Sequence, residues 1–105
     1  MANGFVIQTD HVLSELIELH RSTFQDKHLN ILKVGAVGEP VINGNKASVS
    51  VEAPGKLAYF TMWSHGSVQA VIVDEKTMQE VYSVDYCTDS AEDAKSEFRN
   101  WLSAL

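Results

Sequence analysis

The runs "KASVSVEA", "KLAYFTMW", "SVQAVIVD" and "QEVYSVDYC" follow one another from Lys46 to Cys87, separated only by Pro54-Gly55, by Ser64-His65-Gly66 and by a polar turn from Asp74 to Thr77. No helical crossover fits in connections this short, so neighbouring strands must run antiparallel. The first run alternates strictly, with Ala47, Val49, Val51 and Ala53 on one side and polar residues on the other. Pro54 fixes the first φ of a type II turn and Gly55 takes the positive second one. Upstream, Asn43-Gly44 suits a tight hairpin turn. "NILKVGAV" from Asn30, broken by Gly35 and Gly38 and followed by Pro40, reads as an edge or bulged strand. Five strands joined by short turns make a meander.

Helices flank the strands. After Thr9 and Asp10, the residues Val12, Leu13, Leu16, Ile17, Leu19 and Phe24 fall at helical spacing and predict one amphipathic helix over about residues 10 to 27. "TDSAED" offers a second helix start. Thr88, Asp89 or Ser90 can cap it, and Glu92 or Asp93 completes a capping-box spacing at the positive helix end. Ala91, Ala94, Phe98, Trp101, Leu102 and Leu105 form its apolar stripe. Each helix has one apolar face and needs a sheet to cover it, which places both on the same face. The fold expected is α+β, in the order α-β-β-β-β-β-α, with an antiparallel five-stranded meander sheet. With 105 residues and no linker, repeat or low-complexity stretch, residues 1–105 read as a single domain.

A sheet covered on one side should alternate cleanly in every strand. The third strand does not: Leu57, Tyr59 and Trp63 share one parity, Ala58, Phe60 and Met62 the other. The fourth sets Val68, Ala70 and Ile72 against Val71 and Val73, and the fifth Val81 and Cys87 against Tyr82, Val84 and Tyr86. Either the sheet curls over its own far face, or the chain dimerises there, or the face binds another protein. For the last reading the candidates are Tyr59, Trp63, Tyr82 and Tyr86, aromatic residues with polar tips of the kind enriched at binding hot spots. Parity alone leaves open whether the four lie on one side.

Chemistry is weakly signalled. Cys87, His65 and either Asp74 or Asp85 supply the residue types of a thiol nucleophile, base and orienter, but their spacing is no known arrangement, and a lone cysteine ending an apolar strand reads as a small hydrophobe. His11, His20, His28 and His65 contain no metal-binding pair at i, i+4. No catalytic residue, metal site or cofactor is expected. Fourteen acidic against eight basic residues give a net charge of −6, which disfavours nucleic acid and anionic lipid and favours cationic protein surfaces. No apolar run is long enough to span a bilayer, and the N-terminus has no secretory signal pattern. A cytoplasmic address is expected, as monomer or homodimer.

From Ala47 to Leu105, the strand "FTMW" followed by "SHG", the strand ending "VIVD" and the closing helix resemble the small immunity proteins of bacterial polymorphic toxin systems, the TriTu immunity family in particular. Trp63, Gly66 and Asp74 carry the match. The resemblance implies a bacterial antitoxin that binds a cognate toxin domain and occludes it, without catalysis of its own. Two other classes compete. Size, charge and terminal helices also resemble acidic chaperones of type III secretion, which bind an effector and place a helix among their strands. A small enzyme or ligand-binding α+β domain would need a pocket between sheet and helices.

Overall fold

A computed structural model describes residues 9–37 and 46–105. The expected turn at Asn43-Gly44, with Gly38 and Pro40, lies outside them. The elements are α1 (Thr9–Leu19), α2 (Arg21–Asp26), β1 (Asn30–Val37), β2 (Lys46–Ala53), β3 (Lys56–Trp63), β4 (Ser67–Asp74), β5 (Glu80–Cys87) and α3 (Ala91–Ala104). The strands form one antiparallel sheet in the order β1-β2-β3-β4-β5, the meander expected from the short connections. β1 is an edge strand and is bulged between Ile31 and Lys33. Gly55 has φ +78°, as a type II turn requires, and the two-residue loop sets Ala53 opposite Lys56.

Both helical segments cover one face. α1 packs on β2, and α3 on β3 and β4. The alternating apolar side of β2 (Ala47, Val49, Val51, Ala53) faces them together with Ala58, Phe60 and Met62 of β3 and Val68, Ala70 and Ile72 of β4. Phe98 is the hub of the aromatic centre. Its ring meets Phe60 edge-on at 5.2 Å and Trp101 at 5.5 Å, while Phe24 stacks at 6.4 Å and His20 sits at 5.9 Å. Such ring pairs add about 0.5–1.5 kcal/mol each beyond the area they bury.

The first helix differs from the single segment expected. At His20 the backbone leaves helical geometry (φ −106°, ψ 18°), although its carbonyl still accepts from the Phe24 N–H at 3.0 Å. The break lets Phe24 join the Phe98 cluster, and it leaves His20 Nε2 buried without a hydrogen-bond partner. Helical periodicity cannot register such a break, because the apolar spacing continues through it. α2 then ends in a Schellman-like turn. His28 occupies the left-handed position with φ +57°, its N–H donates to Gln25 O, and the Leu29 N–H donates to Phe24 O. Glycine suits that position better, so His28→Gly is expected to raise stability by up to about 1 kcal/mol, read as a shift in urea midpoint.

At α3 the capping box is replaced. Ser90 is the N-cap but makes no side-chain cap bond. Instead Thr88 Oγ1 accepts from the Ser90 N–H at 3.0 Å and donates to Asp93 Oδ2 at 2.7 Å. Asp93 and Glu92 place negative charge at the positive helix end, as expected. No helix among the described residues is long and apolar enough to cross a membrane.

Candidate functional site

Register decides what the helix-free face carries. Val49 pairs with Phe60 and Phe60 with Ala70, so the residues between them point the other way: Leu57, Tyr59, Thr61 and Trp63 of β3, and Ser67, Gln69, Val71 and Val73 of β4. On β5 a bulge beside Val73 changes the count, giving Ile72↔Tyr82, Ala70↔Val84 and Val68↔Tyr86. Tyr82, Val84 and Tyr86 therefore lie under α3, and Val81, Ser83, Asp85 and Cys87 take the open side.

The four candidate aromatics are thus divided between the two faces. Tyr59 and Trp63 stand on the open face. Tyr82 and Tyr86 reach into the helix layer instead, where both hydroxyls donate to the Glu97 carboxylate, Tyr86 at 3.4 Å. Glu97 is 6% exposed, so α3 is tied to β5 by a buried carboxylate with two phenol donors. Burial, with the Glu97 charge beside it, holds the Tyr82 phenol well above its ordinary range and pushes Tyr86 up to about 12. An unfolded chain releases these protons near pH 10, about two pH steps before the folded state releases Tyr86's. The contribution to stability is therefore complete below pH about 10 and is lost as pH rises through about 12. Unfolding midpoints should fall over that window and flatten in a Tyr82→Phe, Tyr86→Phe double variant. Glu97→Ala, which takes the carboxylate acceptor from Tyr82 and leaves Tyr86 only the Asp93 carbonyl at 3.4 Å, is expected to cost about 1–2 kcal/mol, and Glu97→Gln less.

The centre of the open face is partly buried. Val71, flanked in register by Tyr59 and Ser83, is 2% exposed although the described helices lie on the other face, and Thr61 is also buried. Tyr59 at 38% and Val81 at 58% remain exposed, and Leu57, Trp63 and Val73 are half-buried. Glu52, Glu80 and Asp85 stand around them, with Lys46 the described cation of β2, its Nζ 6.0 Å from the centre of the Trp63 ring. This is an amphipathic surface with an acidic rim.

The remaining chemical candidates are placed as follows. His65 Nε2 lies 2.6 Å from Ser67 Oγ, which lies 3.5 Å from Cys87 Sγ. Cys87 is exposed, not the buried hydrophobe expected, because the β5 register turns it outward. Asp74 sits at the opposite end of β4 from Ser67, so it is not part of any such group. No group of three or more His, Cys, Asp or Glu among the described residues could hold a metal. Between α2 and β1 a cleft of about 200 Å³ is lined by Ile17, Phe24, Leu29 and Ile31, with Arg21 at its mouth paired to Glu18 at 2.6 Å. In the layer between sheet and helices, where a ligand pocket would have to open, Phe60, Phe98 and Trp101 are fully buried and in mutual ring contact.

Trp63, Gly66 and Asp74 shape the two ends of β4. The Gly66 N–H closes a turn onto Trp63 O at 2.9 Å, with φ +113° at the glycine. Asp74 Oδ1 accepts from the Lys76 and Thr77 N–H groups at 2.9 and 3.0 Å, and these bonds lower its pKa. One signal in the sequence could have separated Tyr59 from Phe60: a two-residue loop at Pro54-Gly55 sets Val49 opposite Phe60, and the apolar parity of β2 is unambiguous. Compared with protein-family models, with curated proteins and with solved structures, the chain matches none.

Proposed function

We propose that this protein is a bacterial immunity protein: a cytoplasmic antitoxin that binds a cognate, basic toxin domain and neutralises it by occlusion. The observation that carries the reading is the helix-free sheet face, where Tyr59, Val81, Leu57, Val73 and Trp63 offer exposed or half-buried apolar surface inside a rim of Glu52, Glu80 and Asp85. Aromatic and aliphatic anchors supply contact energy, and a rim in which Glu52, Glu80 and Asp85 outnumber Lys46 favours a basic partner and speeds encounter. The net charge of −6 acts in the same direction at longer range. The likeness of Trp63, Gly66 and Asp74 to the immunity pattern supports the class, with those residues in structural roles.

Two observations favour this over the alternatives. The connections β2–β3, β3–β4 and β4–β5 are turns without a helix, unlike the interrupted strands of secretion chaperones. The sheet–helix layer is filled by aromatic rings, which leaves little room for a small-molecule site there. Affinity capture from the encoding bacterium, followed by expression of the captured protein in a test host, examines the reading. A basic protein whose toxicity is suppressed by co-expression is the expected result. Capture of no protein that this chain detoxifies, together with turnover of a small molecule, would overturn it.

A further inference from the structure

The two edges of the meander are not equivalent. β1 is bulged between Ile31 and Lys33 and carries Gly35 in its interior, devices that weaken an edge as a template for further pairing. β5 has an irregularity only at its start. From Tyr82 to Cys87 it pairs with β4 in unbroken register, and that stretch contains no proline, glycine or lysine.

The hydrogen-bond phase of β5 can be assigned. The Thr88 N–H donates to Gly66 O at 2.9 Å, a bond that flanks the Ser67–Cys87 pair and marks it as the non-hydrogen-bonded kind. Alternation then makes Val68–Tyr86, Ala70–Val84 and Ile72–Tyr82 the hydrogen-bonded pairs. The N–H and C=O groups of Ser83, Asp85 and Cys87 consequently point away from β4. All three residues are exposed, and β5 is the last strand of the sheet among the described residues. They present donors and acceptors at about 6.8 Å intervals, the spacing an added strand would match.

Charge selects what can pair there. Between Lys76 and Lys95 the chain carries Glu80, Asp85, Asp89, Glu92 and Asp93 and no Lys or Arg. A second copy is disfavoured, because pairing β5 with itself through Ser83, Asp85 and Cys87 sets the two Asp85 carboxylates opposite or diagonal to each other, and like charges so placed destabilise. The two flanks of the edge also differ. Toward α3 stand half-buried Tyr82, Val84 and Tyr86, and toward the open face stand Val81, Ser83 and Asp85.

We propose that β5 is a docking edge for an extended, Lys- or Arg-bearing segment of the partner protein, added as a sixth strand with its basic side chains toward Asp85 and its apolar ones toward Val84. The inference rests on the protein-binding reading above and names its contact. The probe is acetyl-Lys-Val-Lys-Val-Lys-Val-Lys-amide, titrated into the intact protein and followed by NMR. The Ser83, Asp85 and Cys87 amides should shift and exchange more slowly with solvent, and the corresponding Glu-Val peptide should not bind. Ser83→Pro removes an outward N–H without breaking a ladder bond, so it should keep the fold and weaken binding about tenfold or more. Should that variant fail to fold, Asp85→Lys keeps the test open: it should lose the Lys-Val peptide and gain the Glu-Val one. Absence of binding at millimolar peptide, or shifts centred on Tyr59 and Trp63 with β5 amide exchange unchanged, would overturn the docking edge. Toxin suppression is a separate assay, so the immunity reading can survive that outcome, and the peptide result stands if no toxin is found.

Discussion

Truncating Trp101 to alanine is expected to cost about 3–5 kcal/mol of folding stability, the range for removing a fully buried tryptophan. Trp101 has no exposed surface, contacts the Phe60 ring at 5.7 Å and the Phe98 ring at 5.5 Å, and its Nε1–H donates to Val71 O at 3.1 Å. It thus joins α3 to β3 by packing and to β4 by a hydrogen bond. A domain of this size has a total stability of roughly 5–15 kcal/mol, so the loss consumes much of the margin. Urea unfolding followed by circular dichroism measures it. Trp101→Phe keeps most of the ring contact, loses the donor to a buried carbonyl, and should cost about 1 kcal/mol more than a neutral swap. An alanine variant within about 1 kcal/mol of the parent would mean that α3 is held chiefly by other contacts, the Tyr82–Glu97 bond among them.

Tyr59→Ala is expected to do the reverse. Its ring lies on the helix-free face and is 38% exposed, so truncation should change stability by less than about 1 kcal/mol. If the face is the binding surface, the same change should weaken association with the captured toxin by about 2 kcal/mol, roughly thirtyfold in Kd. Calorimetric titration of parent and variant against that partner checks it. Tyr82→Ala removes a tyrosine of the same size from beneath α3 and should instead lower stability, because it deletes the bond to the buried Glu97. Unchanged affinity in Tyr59→Ala would remove the open face from the interface.

The element plan was legible because each element has its own period. β2 alternates without exception, α3 repeats its apolar stripe every three to four residues, and Pro54-Gly55 and Ser64-His65-Gly66 are too short for anything but hairpins. What could not be read was local detail set by packing. The break at His20 is invisible to periodicity, since apolar spacing runs through it. Of the three cap candidates at α3, Thr88, Asp89 and Ser90, it is Thr88 whose hydroxyl lies within reach of both the Ser90 N–H and Asp93, a choice that spacing left open. The pairing of Tyr82 and Tyr86 with Glu97 joins residues that only sheet register and helix docking bring together.

By itself the sequence determined the order of elements, the antiparallel sense of the sheet, and the face of β2 that must be buried. Turn lengths carry that assignment onward: two loop residues set Ala53 opposite Lys56, and the three-residue loop keeps Met62 opposite Val68. Beyond β4 this counting fails. Continuing the register from Val73↔Glu80 would bring Val81, Ser83, Asp85 and Cys87 beneath α3 and turn Tyr82, Val84 and Tyr86 to the open side. The tertiary structure inserts a bulge beside Val73, shifts the count by one, and turns half-buried Tyr82, Val84 and Tyr86 toward the core instead. That one-residue shift separates the tyrosines of β5 from Tyr59, gives Glu97 its two donors, and leaves Asp85 on the exposed edge. The physical reason is that strand side chains alternate with period two, so a one-residue bulge exchanges the two sides of β5, and it turns the more apolar side, Tyr82, Val84 and Tyr86, toward the core.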